Sequence, residues 1–328
     1  MQRREFLKLL GGTSAAWPTV ARAQRPERVR RLAVLNGTAP TGQSPAAYAA
    51  FLRRLAELGW NDGRNVRIEV RWANSDLELM RSYGTELASH SPDVFLVQSN
   101  PALAALRPLA GNTPIVFVQV ADPVGSGFVA SLARPGGNIT GFTNFEPSMG
   151  SKWLEMLKQV APDVDHATAI LHRETPAHAA FWHEAELASL KMRLNLVAAG
   201  GHDADEIERA VTAVAAQPNG GLDVYPHTVT EVHLRLILEL AGKYRLPAVY
   251  PFRYHAEAGG LLSYGVDAMD LVPRAADYVD RIMRGANPGD LPVQAPIKFE
   301  LVIDRKTANA LGLSVPPTLL AQADEVID

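Results

Sequence analysis

The chain has 328 residues, 47% of them hydrophobic and 20% charged, an average globular profile at a length that suggests about two domains. Its 32 basic residues stand against 35 acidic ones, a net charge of −3, and no basic run lies outside the N-terminus, which argues against nucleic acid as a partner. Cysteine is absent, which excludes disulfides, thiolate metal sites, cysteine nucleophiles and a lipidated cysteine, and no apolar stretch reaches the roughly 18 residues of a membrane helix.

The N-terminus reads as an address. Arg3 and Arg4, followed by Glu5, Phe6, Leu7 and Lys8, match the twin-arginine export pattern, and a modest apolar stretch runs from Phe6 to Ala16. Ala21-Arg22-Ala23 places small residues where a signal peptidase reads, so residues 1–23 are expected to be a leader cleaved after Ala23. Because the leader carries Arg3, Arg4, Lys8 and Arg22 against Glu5, its removal leaves 305 residues with a net charge of −6. The expectation is an exported, periplasmic protein.

From Arg31 onward, β-branched runs alternate with helical spacing. Strands are predicted at Leu32–Leu35, Val66–Trp72, Asp93–Val97, Ile115–Gln119 and Ile139–Phe142. A second series falls at Thr168–Leu171, Leu194–Ala198, Leu222–Tyr225, Ala248–Tyr250 and Leu261–Tyr264. Between them, Tyr48, Phe51, Leu52, Leu55 and Leu58 mark one buried helix face, as do Trp153, Met156, Leu157 and Val160, and then Val272, Ala275, Ala276, Val279 and Met283. This alternation predicts an α/β fold with parallel sheets covered on both faces. The two series share an order, which predicts two Rossmann-like lobes of one plan with a boundary near 144–148. Lobe 1 is expected over 30–145 with 268–296 returning to it, and lobe 2 over 146–267 with 297–328 near it and the hinge. Multiple crossings of this kind make a hinge, and a hinge between lobes makes a ligand cleft.

Several motifs suggest other chemistry and fall short. Gly37-Thr-Ala-Pro-Thr-Gly42-Gln43-Ser44 is one residue from a P-loop, but Gln43 stands where the phosphate-holding lysine belongs. Gly125-Ser-Gly-Phe-Val-Ala130 fits a dinucleotide fingerprint, yet it follows the fourth strand and not the first. The nine histidines show neither HExxH nor paired ligand spacing, and no GxSxG elbow exposes a serine. No cofactor, metal or catalytic residue is expected.

Polar residues do recur at strand ends, where doubly wound sheets bind ligands. They are Asn36 and Gly37, Gln98 to Asn100, Gln119 and Asp122, then His172 to Thr175, Pro226 to Thr228 and Pro251 to Arg253. Ser99 and Asn100 open a helix, a place for a carboxylate and equally for an ordinary N-cap. Asp122 or Glu146 is a candidate for a ligand's cation, and Tyr225 or Phe252 for stacking; core packing and turn formation are their plain alternatives.

At these residues the chain resembles a known family. The run from Asp122 to Gly141 is similar to the signature of tryptophan/tyrosine-type ABC transporter substrate-binding proteins. So are Arg245–Tyr250, Ala258–Gly265, Pro296–Val302 and Leu311–Pro317. The resemblance implies a type I periplasmic binding fold that closes on a small organic solute, with an amino acid or related carboxylate among the candidates, and presents it to a membrane permease without chemistry. It implies ligand-facing loops around Asn36, Ser99-Asn100, Asp122 and Asn144. The full candidate set is Asn36, Gly37, Ser99, Asn100, Asp122, Asn144, Glu146, Tyr225 and Phe252. Expected partners are the solute, the permease and the twin-arginine export machinery. The alternatives are an exported α/β hydrolase or oxidoreductase using the same cleft, or the sensing part of a membrane receptor.

Overall fold

The computed structural model describes residues 28–41, 44–296 and 298–328; the leader and Gly42-Gln43 of the P-loop-like turn lie outside them. The first sheet is built from β1 (Arg30–Asn36), β2 (Val66–Trp72), β3 (Val94–Gln98), β4 (Ile115–Val120) and β5 (Ile139–Thr143), with α1 (Ser44–Glu57), α2 (Leu77–Ser89) and α3 (Asn100–Leu106) between them. Its order is β2-β1-β3-β4-β5 and every pairing is parallel. The strands follow from residue type. Val-Phe-Leu-Val-Gln of β3 is buried throughout, as a central parallel strand must be, whereas edge strand β2 mixes Arg67, Glu69 and Arg71 into its apolar run.

The second sheet follows the same plan. Helix α4 (Met149–Val160) leads into β6 (His166–Leu171), α5 (Pro176–Met192), β7 (Asn195–Gly200), α6 (Ala204–Ala215) and β8 (Gly220–Val224). Then come α7 (Thr228–Val232), α8 (Leu234–Tyr244), β9 (Ala248–Tyr250), α9 (Arg253–Glu257) and β10 (Leu262–Val266). The order β7-β6-β8-β9-β10 repeats that of the first sheet, so the two lobes are copies of one topology. The chain then adds α10 (Ala268–Met283), β11 (Phe299–Asp304), α11 (Arg305–Ala310), α12 (Pro317–Leu320) and β12 (Glu325–Ile327). Strand β11 pairs antiparallel with β10, and β12, a three-residue strand that the sequence pattern does not reveal, pairs with β11.

Three passages join the lobes. The first runs through 144–148, and Phe145 anchors it, fully buried with its ring 5.2 Å from Trp153 and 5.4 Å from Phe252. The second lies between β10 and α10, which packs back on α1 of the first lobe: Arg54 Nη2 donates to Asp277 Oδ1 at 2.7 Å and Trp60 Nε1 to Asp280 Oδ1 at 2.8 Å. Residues 291–294 then run beside β5, with Thr140 Oγ1 donating to Leu291 O at 2.6 Å and Gln294 N to Gly141 O at 2.9 Å. The third passage leads from there to β11. One apolar cluster therefore continues from Val34 and Phe51 through Phe142 and Phe145 to Trp153 and Leu262.

Two buried features depart from an apolar core. Asp223 of β8 is fully buried with neither carboxylate oxygen hydrogen-bonded among the described residues, and burial pushes its carboxyl well above the usual range. Gly150 lets α4 lie directly on α5, since a Cβ there would stand 1.9 Å from Phe181 O. Gly150→Ala is therefore expected to destabilise the protein by about 1–3 kcal/mol in denaturant unfolding. Gly242→Ala, on α8 with open space around it, is expected to be neutral or to stabilise by up to about 1 kcal/mol.

Candidate functional site

The carboxyl ends of the parallel strands in both lobes face a common cavity of about 400 Å³, within the range of small-molecule sites. The first lobe lines it with Thr38, Ser44, Ser75, Gln98, Ser99, Asn100, Gln119 and Asn144. The second contributes Thr175, His178, His227, Thr228 and Glu231, with Phe252 and Tyr254 as its aromatic surface.

A polar chain holds the first-lobe wall. Thr38 Oγ1 donates to Gln98 Oε1 at 3.2 Å, and Gln98 Nε2 donates to Gln119 Oε1 at 2.6 Å, linking the ends of β1, β3 and β4. Ser99 and Gln119 both have positive φ, 88° and 53°, a conformation that costs an ordinary residue on the order of 1–3 kcal/mol and that concentrates at binding sites. Gly37 is required beside them, because a Cβ there would meet Ser99 Oγ at 2.2 Å.

The second-lobe wall is aromatic and imidazole-rich. Phe252 and Tyr254 stack with ring centroids 5.4 Å apart, and Tyr254 Oη donates to Glu231 Oε2 at 2.9 Å. His255 Nε2 donates to the same carboxylate at 3.0 Å, so two side chains hold Glu231 at the cavity wall. His178 Nδ1 accepts from His172 N at 2.9 Å while Nε2 donates to Pro226 O at 3.1 Å, a pairing that fixes one neutral tautomer. His227 Nδ1 accepts from Val229 N at 3.2 Å, so its proton sits on Nε2, and that atom has no partner among the described residues. Asn144 Oδ1 and Thr228 Oγ1 are likewise buried and unpartnered. Such groups normally cost about 1–3 kcal/mol each unless something completes them.

The lobes touch directly across the cleft. Ser75 Oγ donates to Thr228 O at 2.8 Å, a first-lobe loop latched to a second-lobe helix start.

The nine expected residues divide. Ser99, Asn100, Asn144 and Phe252 line the cavity. Asn36 is buried at the end of β1, its Nδ2 unpartnered, and Gly37 follows it. Asn100 serves the backbone first, since its amide both donates to Ala121 O and accepts from Ala121 N, each at 2.8 Å. Asp122 lies outside the lining: its Oδ1 accepts from Gly125 N at 2.9 Å and shapes the turn. Glu146 lines a different hollow with Lys152 and Tyr264. Tyr225 is fully buried behind the wall, packed on Trp153, Phe181 and His178. Neither Asp122 nor Glu146 brings a carboxylate to the cavity, whereas Glu231, one residue before the end of α7 and three past the strand-end run at Thr228, does.

Comparison with known proteins decides the family. A model described as ABC transporter substrate binding protein matches residues 43–327. The chain belongs to that family. It is 24% identical over 270 residues to a tyrosine-binding protein of Clostridioides difficile, covering 81% of this chain and 76% of that one. Among solved structures it is similar to an ABC domain in complex with L-Trp from Streptococcus pneumonia, with TM-score 0.83, 23% identity and coverage of 91% and 99% of the two chains. A conserved domain protein from Vibrio cholerae gives TM-score 0.84 at 24% identity, covering 91% of this chain and all of that one. The fold is thus the two-lobed periplasmic binding type. The substrate-binding family is a carrier and not an enzyme family, and membership places the protein outside the cytoplasm.

Burial pushes the His178 imidazole down to about 4, below the ordinary 6.5, so folding excludes its proton. That stabilisation is complete above pH 6.5 and is lost as pH falls toward 4. In denaturant unfolding, His178→Gln is expected to lose less stability between pH 7.5 and pH 5 than the parent chain.

Proposed function

We propose that this substrate-binding protein captures an aromatic amino acid of the tryptophan or tyrosine kind and delivers it to an ABC permease. The observation that carries this reading is a two-sided cavity with buried unpaired groups of both kinds. His227 Nε2–H and the Thr228 hydroxyl are donors suited to a carboxylate, and the N-terminal turns of α1 and α5, at Ser44 and Thr175, add positive dipole ends. Asn144 Oδ1 and the Glu231 carboxylate are acceptors suited to an ammonium group. The stacked pair Phe252 and Tyr254 offers a flat apolar surface for a ring. The relatives that bind tyrosine and tryptophan support the same class.

In this reading residues 30–145 with 268–296, and 146–267 with 297–328, move as two bodies about the three passages. Ligand contacts made from both sides favour the closed arrangement, which the Ser75 latch completes. Asn36, Gly37, Ser99 and Asn100 shape the first-lobe wall, while Asp122, Glu146 and Tyr225 act from outside it. The twin-arginine leader carries the folded protein to the periplasm through the matching export machinery and is removed after Ala23.

Titration calorimetry of the untagged chain with L-tryptophan and L-tyrosine is expected to show one site, with the ligand recovered unchanged. Asn144→Ala and Glu231→Gln are each expected to weaken binding about tenfold or more, equivalent to about 1.4 kcal/mol. Ser75→Ala is expected to release ligand faster. Binding of sugars in place of aromatic amino acids would overturn the ligand class, and conversion of the ligand would overturn the carrier role.

A further inference from the structure

We propose that the second lobe carries a divalent metal site, formed by His172, Glu174 and His202, that takes a borderline first-row ion such as Zn²⁺. The residues come from two loops that the fold must place side by side. Strands β6 and β7 are parallel neighbours, with Leu171 opposite Gly200, so the loops leaving their carboxyl ends start together. His172 and Glu174 follow the first strand and His202 the second.

One ligand atom from each residue lies within 4.8 Å of the other two. His172 Nδ1 is 3.3 Å from Glu174 Oε2, and His202 Nε2 is 2.6 Å from the same oxygen. A tetrahedral ion with bonds of about 2.0–2.2 Å holds its ligand atoms about 3.3 Å apart, so the second distance opens by less than an ångström. The Thr175 hydroxyl, 3.2 Å from His172 Nδ1, rotates to free that lone pair. Two imidazoles and one carboxylate are a zinc donor set, and the exposed Glu174 leaves a fourth position for water.

A supporting shell is already built. Glu206 Oε2 accepts from His202 Nδ1 at 2.6 Å, the carboxylate–histidine arrangement that fixes the ring, and Nε2, which donates to Glu174 Oε2 at 2.6 Å in this structure, gives up that proton to solvent when an ion takes its place. The His172 ring stacks on His227 with centroids 4.3 Å apart and planes 13° apart, and His227 Nε2 is the buried atom without a partner. The neighbouring cation, Arg173, is engaged with Ala198 O at 2.8 Å. The ion would clip the 172–175 loop, which holds Thr175 at the cavity wall, to the start of α6.

The site is tested on the untagged chain by titration calorimetry with ZnCl₂, by melting temperature with and without zinc, and by visible absorption with Co²⁺. The expected result is one Zn²⁺ per chain, a raised melting temperature, no response to Mg²⁺, and a tetrahedral cobalt spectrum. His172→Ala and His202→Ala are each expected to weaken binding at least a hundredfold, and Glu206→Ala tenfold to a hundredfold. His90→Ala, at a separate histidine–glutamate pair, is the unaffected control. Should a histidine variant fail to fold by circular dichroism, Glu174→Gln replaces it and is expected to abolish the cobalt spectrum. Absence of stoichiometric zinc binding, or binding that survives the ligand substitutions, would overturn the proposal.

Discussion

Parallel strands cannot be joined by hairpins, and most of this molecule follows from that constraint. Each crossover must return to the starting edge of its sheet, so the chain leaves every strand of β1 to β4 and of β6 to β9 at the same end. The loops at those ends form one rim per lobe, and the three passages between lobes hold the rims face to face. The cavity is therefore lined by short segments scattered from Thr38 to Ala258 in sequence. Apart from Ala47, Ala121, Ala177 and Phe252, which also belong to the core, these segments carry polar groups, left-handed residues and unpaired atoms that would be costly elsewhere.

The fold was largely legible because it rests on patterns of period two and 3.6. All ten predicted strands of the two series form within a few residues of their expected bounds, and Val66–Trp72 and Ala248–Tyr250 match in full. The repeated strand order was also readable, since it reflects a repeated order of hydrophobic runs. Strand β12 escaped because three residues hold too little pattern to register. Side-chain direction was harder to read. Tyr225 follows β8 as a strand-end aromatic should, but its ring turns into the core, whereas Phe252, after the neighbouring strand β9, reaches the cavity wall.

Polar residues posed a different problem. A sequence shows which groups are present but not which are already engaged. Asp122 and Asn100 look alike as strand-end polar residues, and both bond to nearby backbone, one shaping a turn and the other tying two loops. The spacing of the histidines along the chain hides their grouping. His172 and His202 stand 30 positions apart, and only the register of β6 against β7 brings them together with Glu174. Parallel pairing makes such clusters invisible to any local motif.

The return of α10 to the first lobe also governs how the protein is made. On a ribosome, the first five strands emerge long before residues 268–283, which cover the α1 side of their sheet. Until then Val116 and Val118 of β4 lack the helix that completes their burial, and the half-made lobe displays a sticky apolar face. A gene fragment ending near residue 145 would encode five correct strands and still yield an aggregating product. Cutting the chain at 145 therefore separates the first sheet from the helix that covers it, although the two sheets follow matching plans.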